Sequence, residues 1–369
     1  MRGDAVVLFL CGDVMVGRGV DQILPHPGDP SLAEFYVQNA NEYVALAEAV
    51  NGPIPRPVDF AWPWGDALAA VDNAEPDARV MNLETSITRC DERAVEKGIH
   101  YRMCPDNIGC LAAARPDACV LANNHTLDFG RQGLGETLDV LAGAGLRAVG
   151  AGRDADEARR PAIIPRACGG RVVVLAFGMP SGGVPRRWAA GDQAGVDVVP
   201  ELSRARAAEI ADRVREVKQP GDVAIASIHW GPNWGYDVGD DETTFAHRLV
   251  DGGVDVVHGH SSHHPRPVEV YRDRLVLYGC GDFIDDYEGI AGYESYRDDL
   301  RLAYLVSVAP DSGALIELRM VALQARRMRL EQTSPADTAW LRSTLERISR
   351  GFGTRFDIEA PGAISLRRP

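Results

Sequence analysis

The chain has no apolar run long enough to cross a bilayer, which takes about 20 residues as a helix. Its N-terminal run, Ala5 to Cys11, is far shorter. Only Arg2 precedes it, Asp4 lies beside it, and no small-residue cleavage site follows, so it reads as a first buried strand and not a signal peptide. The expectation is a soluble, cytoplasmic protein with no membrane partner. Cysteine patterning is also missing. The seven cysteines are odd in number and follow no zinc-ribbon spacing, so neither a disulfide framework nor a thiolate zinc site is expected. Cys11 and Cys280 lie in or beside apolar runs, where a thiol serves as a small hydrophobe. Positive charge is scarce: 39 Lys and Arg face 53 Asp and Glu, for a net charge of −14. Such a chain is a poor non-specific binder of nucleic acid or anionic membrane. No internal repeat, low-complexity segment or linker divides the sequence. A single domain over 1–369 is expected, with a C-terminal helical extension from about residue 336.

Short apolar runs alternate with helical patterns. The strand candidates are Val6–Leu10, Ala78–Leu83, Ala118–Leu121, Arg147–Val149, Arg171–Phe177, Asp222–Ile228, Val254–His258 and Leu275–Tyr278. Ala303–Ala309 and Ala314–Ala322, joined across Gly313, read as a hairpin. The helical period fits Leu32–Ala49, Gly65–Asn73, Asp106–Ala114, Gly133–Ala144, Ser203–Gln219, Thr243–Gly252 and Ala336–Phe352. Strand and helix in alternation imply an α/β fold with a buried sheet covered by helices.

Histidine is rare and concentrated. Of nine, His258, His260, His263 and His264 fall in the run VDVVHGHSSHHPRP, read as a strand that turns at Gly259. Imidazoles packed this closely would repel if charged, which favours a neutral, metal-bound role. Other strand candidates end on polar residues: Asp13, Glu84, Asn124 with His125, and His229. In a parallel sheet the carboxyl ends share one edge, so these groups can converge. Carboxylate, amide oxygen and imidazole suit one or two divalent ions, with Mn, Zn, Fe, Ca and Mg left open. His258 and His260 have the spacing of a His-x-His ligand pair, with His263 a rival for one place. Arg18 is a candidate for binding a substrate carboxylate or phosphate, and Trp230 for holding an apolar or peptide group. The acidic loop from Asp282 to Glu288 reads as a lid, a supporting acid–base group or a solvated loop.

The order Asp, acidic residue, Asn-His, His, Gly-His resembles the calcineurin-type metallophosphoesterase pattern. More closely, GDVMVGR, NLET, ANNHTLDFG, IHWG and PVEVY followed by YGCGDF resemble the CapA family, named for capsular poly-γ-glutamate synthesis. The resemblance implies a two-sheet sandwich flanked by helices, with a dinuclear centre at one edge. It makes Asp13, Glu84, Asn124, His229 and two turn histidines the metal ligands, and His125 the neighbouring acid–base group. One departure is Met15, where the wider superfamily has a ligating His. Two equally tight ions would then require another residue, such as His263 or Asp282, to fill the gap.

Such a site can activate water, or it can acidify a Cα–H. The resemblance includes soluble lasso-peptide epimerases, so Cα epimerisation of a peptide substrate is the favoured expectation, with His125 and His263 as its catalytic bases. Metal-dependent phosphoester or amide hydrolysis is one alternative. A part in capsule synthesis on a γ-glutamyl substrate is the other.

Overall fold

The computed structural model describes residues 5–367, and two sheets pack face to face through them. The first sheet runs, in spatial order, Arg355–Ala360, Ala363–Arg367, Leu315–Ala325, Leu300–Val308, Val6–Val14, Ala78–Leu83, Ala118–Val120 and Ala148–Val149. Its half from Val6–Val14 onward is parallel, while Leu300–Val308 joins it antiparallel. The second sheet runs Val268–Tyr271, Arg274–Leu277, Val256–His260, Val223–His229, Arg171–Gly178 and Ala162–Pro165, with a parallel centre.

Period-two alternation fixes which side chains go where. On the Arg171–Gly178 strand, Val172, Val174 and Ala176 enter the core shared with the first sheet. Val173, Leu175 and Phe177 point the other way, into a second core under helices Arg204–Val217 and Asp240–Asp251. The result is an α/β two-sheet sandwich flanked by helices. Among the described residues no helix is long and apolar enough to cross a membrane, and all seven cysteines are free thiols.

Three of the elements that differ from the sequence reading bear on the site or the core, each for a physical reason. The expected helix Leu32–Ala49 forms only over Asn41–Asn51. Glu34 is instead drawn inward to bind Arg18 and Tyr43, so the segment before it stays irregular. The Val256–His260 strand runs through Gly259 and does not turn there. A Cβ at Gly259 would lie 2.6 Å from the carbonyl oxygens of Leu277 and Tyr278, so only glycine lets the strand continue at this packing. The C-terminal extension holds more than helix Pro335–Ile348: a hairpin of Arg355–Ala360 and Ala363–Arg367 extends the first sheet. Its Phe356 and Ile364 reach the shared core, a pattern too short to stand out from helix in the sequence.

A candidate metal centre between the sheets

The carboxyl ends of parallel strands from both sheets meet at one edge. Val6–Val14 delivers Asp13 beside a bulge at Gly12, where a Cβ would sit 1.8 Å from the Gly281 carbonyl oxygen. That close approach brings Asp282 into parallel register with Asp13. Glu84 follows the Ala78–Leu83 strand, and Asn124 and His125 follow Ala118–Val120. From the second sheet come His229 and His260 at two strand ends, and His263 just beyond.

These groups form two clusters that share one residue. Ligand atoms of Asp13, His229 and His260 lie within 4.8 Å of one another, and so do those of Asp13, His263 and Asp282. His229 and His260 face each other with their Nδ1 atoms 3.0 Å apart. Glu84 joins the first cluster, its Oε2 lying 3.8 Å from His229 Nδ1. The fit to a cation is tested by what the protein leaves unpaired. Asp13 Oδ2, Asn124 Oδ1 and His229 Nε2 are buried and have no hydrogen-bond partner. Buried polar atoms are normally satisfied, and two of these are anionic or amide oxygens of the kind divalent ions take. The donor set fits a divalent ion.

Neighbouring amides hold the carboxylates in place. Asn123 Nδ2 donates to Asn82 Oδ1 (3.0 Å), and Asn82 Nδ2 donates to both Asp13 Oδ1 (2.7 Å) and Glu84 Oε2 (2.9 Å). Electrostatics agree with a place for positive charge. Burial, then Asp282, pushes the Asp13 carboxyl up to about 7. Burial, then Asp13 and Asp282, pushes Glu84 well above the usual range. Burial, then the neighbouring imidazoles, keeps His229 and His260 neutral, as ligands must be.

His258 lies apart from both clusters. It shares a strand face with His260 but sits two residues deeper, between the sheets. Its Nε2 donates to the Cys11 carbonyl (2.9 Å), and Ser227 Oγ is 3.0 Å from its Nδ1. Both nitrogens are engaged, and of the expected pair only His260 lies in a candidate cluster, with His263 in the other. Spacing alone suggested His-x-His because the strand was expected to turn at Gly259. Asp282, named from sequence as a gap-filler and as part of the acidic loop, stands beside Asp13, where the Met15 side chain offers no imidazole. Met15 Sδ instead receives the Tyr287 hydroxyl at 3.7 Å.

Arg18 is not available to a substrate. It is buried under Tyr43 and donates to Asp286 and Glu34. Trp230 is fully buried, stacked on Tyr278 and donating Nε1 to its carbonyl (3.0 Å), so it packs the outer core. The acidic loop is neither lid nor solvated: Asp285 pairs with Arg301, Asp286 with Arg18, and Glu288 accepts from the Arg327 amide at 2.7 Å.

His125 follows the Ala118–Val120 strand and has partners that the sequence reading missed. Its Nδ1 lies 2.6 Å from Asp128 Oδ2, and Lys97 Nζ is 2.5 Å from the other Asp128 oxygen. The His-x-x-Asp spacing in ANNHTLDFG was the available signal; Lys97, from a distant loop, gave none. Burial lowers His125 to about 4 despite the opposing pull of Asp128. Its Nε2 looks towards Glu84 Oε1 at 3.8 Å. Tyr101 packs edge-on to His125, and its hydroxyl is 2.6 Å from that of Tyr287, which packs edge-on to His263. Beyond His263, Trp234 stacks on Tyr293 at 3.9 Å.

Strand-end carboxylates, an amide and imidazoles drawn from two facing sheets define the class, an α/β sandwich with a candidate divalent-metal centre at one edge. Residues 7–287 match the family described as bacterial capsule synthesis protein PGA_cap, and the chain belongs to that family. It is 55% identical over 354 residues to a Mycobacterium tuberculosis protein named probable polyglutamine synthesis accessory protein, covering 95% of this chain and 93% of that one. The PGA biosynthesis protein CapA of Bacillus subtilis is 24% identical over 303 residues, 82% of this chain and 68% of that one. Among solved structures, a 5'-nucleotidase precursor from Thermus thermophilus matches with a TM-score of 0.48 at 14% identity. The match covers 94% of this chain and 59% of that longer one.

Proposed function

We propose that this chain is a metal-dependent enzyme of poly-γ-glutamate-type polymer synthesis that cleaves an amide linkage of the γ-glutamyl chain. The observation that carries the chemistry is the pair of clusters sharing Asp13, with one neutral imidazole, His125, held beside them by Asp128. Asp13, Glu84, Asn124, His229 and His260 would hold one ion, and Asp13, His263 and Asp282 a second. A divalent ion there supplies Lewis acidity towards a carbonyl oxygen and towards water. His125 Nε2 takes the proton from the attacking water, the C–N bond breaks, and His125 returns that proton to the leaving amine. Asp128 accepts from Nδ1–H and so leaves the Nε2 lone pair on the substrate side. The substrate class rests on family membership and on the names of the relatives.

Epimerisation, favoured by the sequence reading, has less support. Inversion needs bases on both faces of the carbon. His263, the expected partner base, is hydrogen-bonded to Asp282 at 2.9 Å and belongs to a ligand cluster. Burial pushes the Tyr101 and Tyr287 hydroxyls well up, away from service as bases. The relatives above are named for polyglutamine synthesis and PGA biosynthesis.

The test is incubation of a γ-linked oligoglutamate with the metal-loaded protein in deuterated water, read by mass spectrometry. Shortened chains with no label at Cα are expected. His125→Ala should slow their appearance by about 10²–10⁴-fold with metal content unchanged. Cα label at constant length would replace this reading with epimerisation, and intact, unlabelled chains would refute it.

A further inference from the structure

The C-terminal segment, outside the residues matched by the family, carries a charge feature that the metal centre does not use. A cleft of about 500 Å³ opens between the end of helix Pro335–Ile348 and the hairpin that follows. Arg342, Arg347, Arg350 and Arg355 line it, against one carboxylate, Glu346. Glu346 is taken by Arg342. Among the described residues Arg350 and Arg355 have no carboxylate partner. Glu346 offsets one of the four guanidinium charges, so the cleft keeps a net positive charge in a chain of net charge −14.

The cleft's segment is anchored to the second sheet and linked through side chains to the centre. Ser349 Oγ accepts from the Val268 amide (3.0 Å), and Phe352 stacks on Tyr278 at 5.2 Å, fixing the segment to the second sheet. The Arg347 guanidinium lies 4.9 Å over the Tyr236 ring, and Tyr236 is 4.6 Å from His264. Trp234 packs on His264 and, at 5.2 Å, on His263 of the second ion cluster. One aromatic patch therefore touches both the cleft and the metal centre.

We infer that this arginine cleft binds carboxylates of an acidic polypeptide chain, holding the polymer whose linkage lies at the metal centre. The inference rests on the γ-glutamyl reading of the substrate. Planar guanidinium groups pair with carboxylates through two parallel hydrogen bonds, and spaced arginines suit side-chain carboxylates that recur along a polymer.

The experiment measures fluorescence anisotropy of a labelled γ-linked oligoglutamate on the full chain, beside polyphosphate and a single-stranded oligonucleotide of equal charge. The wild type should bind the oligoglutamate more tightly than the other two. The double variant Arg350→Glu, Arg355→Glu should bind it at least about tenfold more weakly, with unchanged metal content and melting temperature. The milder pair Arg350→Gln, Arg355→Gln should show a smaller loss in the same direction. Equal binding by wild type and both variants overturns the inference, as does equal or tighter binding of either phosphate polymer. Binding is read without turnover, so an inactive protein that binds through these arginines refutes the proposed reaction alone. An active protein whose binding ignores them refutes the cleft alone.

Discussion

Single protons at His258 and Ser227 decide whether His260 can serve as a ligand. The Cys11 carbonyl can only accept, so His258 must carry its proton on Nε2. Burial lowers its pKa to about 4, so it stays neutral and accepts at Nδ1 from the Ser227 hydroxyl. Ser227 Oγ is left to accept from His260 Nε2–H at 3.0 Å, which puts the His260 lone pair on Nδ1, facing His229. Ser227→Ala breaks this chain without touching a proposed ligand. Metal affinity should fall about 10–100-fold, as for loss of a partner that orients a ligating imidazole, and Ser227→Thr should restore it. Nitrogen NMR of the wild type should show His260 protonated at Nε2; unchanged affinity in Ser227→Ala would remove the serine from the site.

At the scale of strands, glycine decides whether an edge can hold the site. Gly259 lets the Val256–His260 strand pass the Leu277 and Tyr278 carbonyls, which are backbone and cannot step aside. Gly259→Ala should destabilise the fold by about 1–3 kcal/mol, measured by denaturant titration, and displace His260 enough to weaken metal binding. A neutral substitution would show that the strand can shift. The strands themselves were legible because their apolar runs are short and bounded by polar ends, and Asp13, Glu84, Asn124 and His229 stand at or just beyond such ends. What escaped were contacts set by packing between sheets. Nothing in VVHGH says that the strand continues through Gly259, so His258 looked like a ligand and His263 a rival. Arg18 and Trp230 looked functional because a sequence shows residue type and not burial. Asp282 could be offered as a ligand only to fill a gap, because its place beside Asp13 depends on how closely Gly12 and Gly281 pack.

Across the whole molecule, the centre links stability to pH. Asp13 titrates at about 7 in the fold against an ordinary 3.8, so the ion-free folded chain holds this proton more tightly than the unfolded chain does. The stability this contributes is present below about pH 4 and lost as pH rises through about 7. A divalent ion favours ionised Asp13 and offsets that loss. The rise in melting temperature on adding Mn²⁺ to chelator-treated protein should therefore be larger at about pH 7.5 than at about pH 5, and Asp13→Asn should flatten the difference. An equal rise at both values would dissociate Asp13 from the ion. The centre is also divided between layers: Asp13, Glu84, Asn124 and Asp282 belong to the first sheet and its loops, His229, His260 and His263 to the second. With the proposed ligand set, neither sheet alone supplies an ion's full coordination, so tight metal capture must wait until the two sheets have docked. The ion thus arrives late in folding, as a clasp closed over an interface already made.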